Sequence, residues 1–332
     1  MGGKRADGAR GDTKRITSLS ELHTRSTRPR TGSWNETDPL MPLVDTISHH
    51  NLSQDSSYVA HWGLHLHPFE NVPDPKFYVP SIQHDMAIER LLYGIHARKG
   101  MVLLTGEIGS GKTLLSRTVI LKLSRSRYEI ALVSNPTIPG NEFLGELLFQ
   151  LGLDPHGTRA EQLRRLNDQL LANYHKGVDT VVVVDEAQAI EHDRVFEELR
   201  LLSNFQLNDR FLITLVLIGQ PELRERIDRI PQLAQRVAVQ HHIGYLDRAE
   251  TKSYVLARLA AAGVALPIFS ARAISSIYHF TGGVCRLINS LCDLCLHYGR
   301  ISGAHQIRRS LVEKVANDLL QRRASIGLGV MP

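Results

Sequence analysis

Gly106-Glu107-Ile108-Gly109-Ser110-Gly111-Lys112-Thr113 is the stretch that decides the fold, and its flanks matter as much as its letters. Met101 to Thr105 is an apolar run of strand length, and Leu114 to Leu123 reads as a helix. A strand feeding a glycine-rich turn that opens into a helix is the setting a phosphate-binding loop requires. Glycines let successive backbone N–H groups curl around an anion without interference from Cβ. The helix start adds unpaired donors and the positive end of its dipole. In this arrangement Gly106 through Thr113, with Leu114 following, contact the nucleotide. Lys112 reaches the β- and γ-phosphates and Thr113 places its hydroxyl on Mg²⁺. The expected ligand is a nucleoside triphosphate.

Val181-Val182-Val183-Val184-Asp185-Glu186 is the second signal. The valines read as a buried strand, and the two carboxylates emerge at its C-terminal end, the edge where open α/β sheets bind ligands. Asp185 is placed to hold Mg²⁺, because a hard cation takes oxygen ligands. Glu186 is placed to accept hydrogen bonds from an attacking water and aim it at the γ-phosphorus, which implies hydrolysis. Gln220 closes a later apolar run, either as a sensor of the γ-phosphate or as a turn residue before Pro221. Arg236 precedes a short last strand and Arg286 starts a late helix. Each reads either as a phosphate-directed cation, Arg236 then acting across a subunit boundary, or as a solvated arginine.

Around these motifs, strand signals near Ile130–Val133, Thr180–Val184, Phe211–Ile218 and Arg236–Val239 alternate with helical ones near Glu142–Leu151, Ala160–His175 and Asp193–Phe205. That alternation predicts a parallel sheet covered on both faces, an α/β three-layer sandwich over residues 56–245. After Leu246 only helices follow, over Asp247–Ala262, Ser270–Phe280, Gly283–Gly299 and His305–Arg323, giving a small helical lid over residues 246–325. Asp247 and Ser270 are expected N-caps, Gly263 a helix stop, and Ser81 the cap of a helix running to Ala97. Trp62, Phe69, Phe77 and Tyr78 lie in a proline-punctuated lead-in segment and are expected to pack on the core or edge the base pocket.

The chain has 332 residues, 42% hydrophobic and 22% charged, ordinary for globular protein. Residues 1–55 are the exception: rich in Gly, Ser, Thr, Arg and Pro, they are expected to be a disordered basic tail. Residues 1–40 hold eight Lys/Arg against five Asp/Glu, which is +3 of the net +5. The tail reads as a solubilising extension or an arm for an anionic partner, and a translation start at Met41 is a third reading. Cys285, Cys292 and Cys295 lie in one apolar helical pattern and read as buried small side chains rather than a disulfide or zinc set. His61, His65 and His67 lack a completing carboxylate or cysteine, so no metal is expected there. No apolar run reaches membrane-spanning length and the N-terminus lacks a secretory h-region, so a cytoplasmic location is expected.

With those residues in view, the chain resembles AAA+ ATPases of the ExeA/GspA type, linked to general secretion. The resemblance runs from His61-Trp62-Gly63-Leu64 and Pro73-Asp74-Pro75-Lys76-Phe77-Tyr78 through Leu104-Thr105-Gly106-Glu107 and Asp185-Glu186-Ala187-Gln188. It continues in Gly219-Gln220-Pro221-Glu222-Leu223 and Gly282-Gly283-Val284-Cys285-Arg286, where the family more often carries glycine-x-proline-arginine. It implies a P-loop AAA+ sandwich binding ATP and Mg²⁺, with Asp185 and Glu186 as the Walker B pair and Gln220 as first sensor. It also implies Arg236 as arginine finger, Arg286 as second sensor, and assembly into a homo-oligomer. Secretion members usually continue into a membrane span and a wall-binding region, whereas this sequence runs to Pro332 without an integral membrane segment. The chain is also similar to transposition ATPases of the TniB/TnsC type, so the implied partner is a secretion component or, alternatively, a transposase together with DNA.

Overall fold

The structure is a computed structural model and describes residues 58–134, 136–139, 142–264 and 267–325. The basic tail, residues 1–55, and the alternative start at Met41 lie outside the described residues.

The described chain opens with a short helix α1 (Tyr58–His61) and, past a 3-10 turn at Pro75–Phe77, the helix α2 (Ile82–His96). Then follow β1 (Met101–Gly106), α3 (Lys112–Lys122), β2 (Tyr128–Val133), α4 (Phe143–Gln150), α5 (Arg159–Lys176) and β3 (Asp179–Val184). Next come α6 (Asp193–Leu202), β4 (Ile213–Gly219), α7 (Pro221–Asp228), α8 (Pro231–Ala234) and β5 (Val237–Ile243). The last four helices are α9 (Arg248–Ala261), α10 (Ala271–Thr281), α11 (Cys285–Ile301) and α12 (Arg309–Ser325).

All strand pairs are parallel, in the order β2-β3-β4-β1-β5. Burial follows from position in the sheet. Every residue of β1 and β4 is buried, whereas the edge strand β5 alternates. The two-residue strand period then sorts side chains between two cores. Met101, Leu103, Val182 and Val184 face α4, α5 and α6, packing with Phe143, Leu147, Leu166 and Phe196. Val102, Leu104, Val181 and Val183 face α2 and α3, packing with Leu91, Ile95, Leu115 and Val119. This is the expected three-layer sandwich. Alternate residues of one valine run serve opposite faces, so a polar replacement anywhere in it meets a dry layer.

Local signals placed most helix ends correctly. Ser81 and Ser270 cap α2 and α10, and Asp247 closes a capping box with Glu250 at the start of α9. Gly263, at φ +96°, stops α9. The last strand is longer than its sequence signal, because Gln240, His241 and His242 continue it beside β1 at an edge that tolerates polar residues.

The lead-in segment, grouped with the α/β core in the sequence, packs instead in the helical bundle. Tyr58, Trp62, Leu64 and Phe69 join Leu259, Phe269, Ile277, Ile288 and Leu296 in a third core. The Trp62 indole donates to the carbonyl of Leu296 at 2.9 Å, and Tyr58 hydrogen-bonds Asp293. This segment covers apolar faces that the bundle helices leave uncovered. Cys285, Cys292 and Cys295 are buried in the same core, and burial pushes the Cys285 and Cys295 thiols up to about 12.

Candidate functional site

The C-terminal ends of β1, β3 and β4 deliver the chemistry-bearing residues to one edge of the sheet. β4 lies between β1 and β3, so Gln220 stands between the glycine loop and the carboxylates. In the loop, Gly109 and Gly111 take φ of +76° and +97°, which an L side chain adopts only with strain. A Cβ on Gly106 would lie 2.7 Å from the Ile243 carbonyl oxygen, so packing also demands glycine there. Gly111 hands the chain to α3, whose first residue is Lys112. The loop backbone therefore wraps a helix N-terminus, with Ile108 outermost and exposed.

Lys112 is buried, and its ammonium donates to the carbonyls of Gly106 at 2.8 Å and Glu107 at 2.9 Å. Burial holds its pKa below the ordinary lysine range, while Glu186, Asp185 and Glu107 oppose that shift. Ser110 Oγ is buried with no hydrogen-bond partner among the described residues. Asp185 is buried, its N–H donating to the Val133 carbonyl and its carboxylate accepting from the Glu186 N–H, both at 2.9 Å, with the Thr113 hydroxyl beside it. Burial raises its pKa, and those two groups partly offset the rise. Thr113 and Asp185 thus bring two hard oxygens together beside a buried ammonium and an unpartnered hydroxyl. This donor set suits a triphosphate with a divalent cation.

Glu186 sits at φ +52°, one of two non-glycine residues with positive φ among the described residues. Its carboxylate accepts from Gln188 Nε2 at 2.6 Å, and Gln188 Oε1 accepts the backbone N–H of Gln220 at 3.0 Å. The orientation of Gln188 is thereby forced, since a carboxylate only accepts and a backbone N–H only donates. A Cβ on Gly219 would lie 2.7 Å from Gln188 Oε1, so the glycine makes room for this bridge. Gln188 ties the water-orienting candidate to the sensor candidate.

Arg286 meets the loop from the bundle. Its backbone N–H reaches the Gly109 carbonyl at 3.4 Å, and a Cβ on Gly109 would touch Arg286 Cβ at 3.1 Å. Both line one cleft with Lys112, Thr113, Leu114 and Glu186. Arg236 is not brought to this edge. It precedes Val237, which pairs with Met101 at the start of β1, so it lies at the opposite end of the sheet, donating to Asn204 at 2.8 Å.

Three further residues went unnoticed in the sequence. His84 donates from Nε2 to the Ser110 carbonyl at 2.9 Å, its Nδ1 taking the Ser81 hydroxyl at 2.7 Å, and so holds the loop from α2. Gln188 stood within a quoted motif without a role. Arg258, buried at 3% exposure beneath the far end of the cleft, looked like any arginine on an amphipathic helix.

A family model described as an AAA domain matches residues 95–227, which include the glycine loop, Asp185-Glu186 and Gln220. The sandwich carrying them, with its helical lid, is an AAA+ fold. General secretion pathway protein A of Aeromonas hydrophila is 38% identical over 254 residues, 75% of this chain and 46% of the relative. The resemblance to that secretion type therefore stands, and the chain spans about half the length of the curated relative it matches. Among solved structures, Drosophila ORC bound to DNA is similar with TM-score 0.61 and 16% identity, over 88% of this chain and 71% of that one. The Aeropyrum pernix ORC2 protein in its ADPNP–ADP complexes gives TM-score 0.56 at 17% identity, over 76% and 71%. At such identities these likenesses speak for the AAA+ fold alone. No helix among the described residues is long and apolar enough to cross a membrane.

Proposed function

We propose that the chain binds ATP with Mg²⁺ and hydrolyses it, using the cycle to assemble or remodel a secretion-related protein complex. The observation that carries the hydrolase reading is the buried Asp185 carboxylate beside the buried Lys112 ammonium, with Thr113 and Glu186 in the same cleft. Lys112 exchanges its two carbonyl acceptors for phosphate oxygens, a charge-assisted replacement. Loop N–H groups and Ser110 Oγ take further oxygens. Bound through Thr113 and Asp185, Mg²⁺ would supply charge neutralisation at the phosphates. The Glu186 carboxylate, held by Gln188, accepts a hydrogen bond from water and aims it along the line of displacement.

Gln220 and Arg286 serve as sensors, one through Gln188 and one through the bundle. Arg236, at the far end of its own sheet, acts as a finger only on a neighbouring subunit, so the reading includes a homo-oligomer. The secretion assignment is supported by the 38% identical relative, and a cytoplasmic location suits an ATP-driven site.

Phosphate release from ATP by the full chain, with and without Mg²⁺, tests the reaction. Tight ATP binding with no Mg²⁺-dependent release would leave a nucleotide switch and sink the hydrolase reading. For the finger, Arg236→Ala and Lys112→Ala subunits are expected to regain activity when mixed. No recovery in co-assembled, folded mixtures would remove Arg236 from that role.

A further inference from the structure

The glycines that let the phosphate loop curl also leave it free to uncurl. Gly111 stands at φ +97°, a region glycine enters and leaves freely, so the Ser110–Gly111 peptide can turn over by rotation at Ser110 ψ and Gly111 φ. Three groups from beyond the loop hold its carbonyls. Lys112 takes those of Gly106 and Glu107 and, in the reading above, exchanges them for phosphate oxygens. The Arg286 N–H takes that of Gly109 from the bundle, at 3.4 Å. The Ser110 carbonyl receives no backbone N–H among the described residues and is held by His84 Nε2, at 2.9 Å.

His84 is fixed in its turn. It lies in the first turn of α2 and is buried. Ser81 Oγ accepts the His84 backbone N–H at 3.3 Å and donates to Nδ1 at 2.7 Å, so one hydroxyl caps the helix and aims the ring. A carbonyl only accepts, which puts a proton on Nε2. The ring packs against the turn itself: a Cβ on Gly111 would stand 3.6 Å from Nε2. The carbonyl and N–H of a trans peptide point in opposite directions. The bond to His84 is buried, so the Ser110 carbonyl faces the protein and the Gly111 N–H faces the cleft that Gly111 and Lys112 line.

We propose that His84 is a positioning residue for phosphate binding: by holding the Ser110 carbonyl, it keeps the Ser110–Gly111 peptide turned so that the Gly111 N–H points at the triphosphate. The inference rests on the nucleotide-binding reading above and names what keeps that site formed. With the peptide turned over, the Gly111 N–H would point into the protein and a carbonyl oxygen would face the phosphate oxygens. An attraction to charge would become a repulsion. His84 acts through the loop backbone, whereas aiming the water falls to Glu186 at a different strand end. Loss of the His84 bond is therefore felt in phosphate affinity more than in the chemical step.

The test is direct binding of tripolyphosphate and of ATP to the full chain, with kcat and KM for ATP hydrolysis measured alongside. Two amide substitutions separate the ring nitrogens, because a glutamine amide extends as far as Nε2 and an asparagine amide only as far as Nδ1. His84→Gln keeps a donor for the Ser110 carbonyl and is expected to bind both ligands within about twofold of wild type. His84→Asn reaches Ser81 alone and is expected to weaken both by about tenfold, with KM rising likewise and kcat falling less than about threefold. A histidine needed only for packing would not separate the two amides. Should His84→Asn fail to fold, His84→Leu, which fills the volume without a donor, takes its place in the comparison. Equal affinities in wild type and both variants overturn the proposal, as do two amides that weaken binding alike, or a loss confined to kcat. Each of those results leaves triphosphate binding intact. A wild type that binds neither tripolyphosphate nor ATP overturns the underlying reading as well.

Discussion

The two ends of the cleft are built by different means. The phosphate end is contiguous: one eight-residue loop, the first turn of α3, and two strand ends that neighbour each other in the sheet. The far end is assembled from Asn71 to Val79, from Tyr254 and Arg258 on α9, and from Asn289 on α11, segments separated by more than a hundred residues in places. At the first end the backbone does most of the work, through glycine φ angles and helix-terminal N–H groups. At the second, side chains orient one another around the buried guanidinium of Arg258.

That contrast predicts which variants stop turnover and which retune it. The largest effect is expected from Glu186→Gln, which keeps ATP binding and lowers kcat by about 10²–10⁴-fold in a phosphate-release assay. A normal rate would strip Glu186 of its water-orienting role. Lys112→Ala is expected to weaken ATP binding by about 100-fold, because it leaves phosphate charge facing a dry pocket. Gln188→Leu keeps the volume and removes the bridge between Glu186 and Gln220. It is expected to lower kcat by about tenfold at unchanged KM, since only the aim of the carboxylate is lost. An equal rise in KM would mean that Gln188 supports binding instead.

The smallest effect is on stability. Burial raises the pKa of Asp185 above its unfolded value, so the folded chain holds that proton more tightly. The associated stability is complete below about pH 4 and is lost as pH rises through the folded pKa. Asp185→Asn removes this slope. It is expected to be more stable than the wild type at neutral pH, by a margin that closes toward pH 4, while losing Mg²⁺-dependent turnover. Denaturant melts at both pH values would expose a margin that does not close.

The comparison also explains what could be read from the sequence. The glycine loop, the valine run with its carboxylates and the helix caps are local patterns with local causes, and the structure has them within a residue or two. The resemblance singled out Arg286 in Gly282-Gly283-Val284-Cys285-Arg286, and the structure brings its backbone N–H to the Gly109 carbonyl. His84 and Arg258 were not legible. Their partners are the Ser110 carbonyl on one side and the Pro68 and Glu70 carbonyls on the other, reached only by folding distant segments together. The placement of Trp62 and Phe69 in the bundle was missed for the same reason, because aromatic content shows burial and not the side on which a segment is buried.

The lead-in segment has one more effect. Residues 58–69 are embedded in the bundle while α2 is embedded against the sheet, so the chain passes from one body to the other twice, near residues 70–81 and again near Gly244 to Leu246. A lid joined by one tether can swing in any direction. Two tethers define a line, and the motion that stretches neither is rotation about it, as a door turns on a pair of pins. Residues 71–79 form one of those pins and part of the cleft wall together, so any turn of the bundle also displaces that wall.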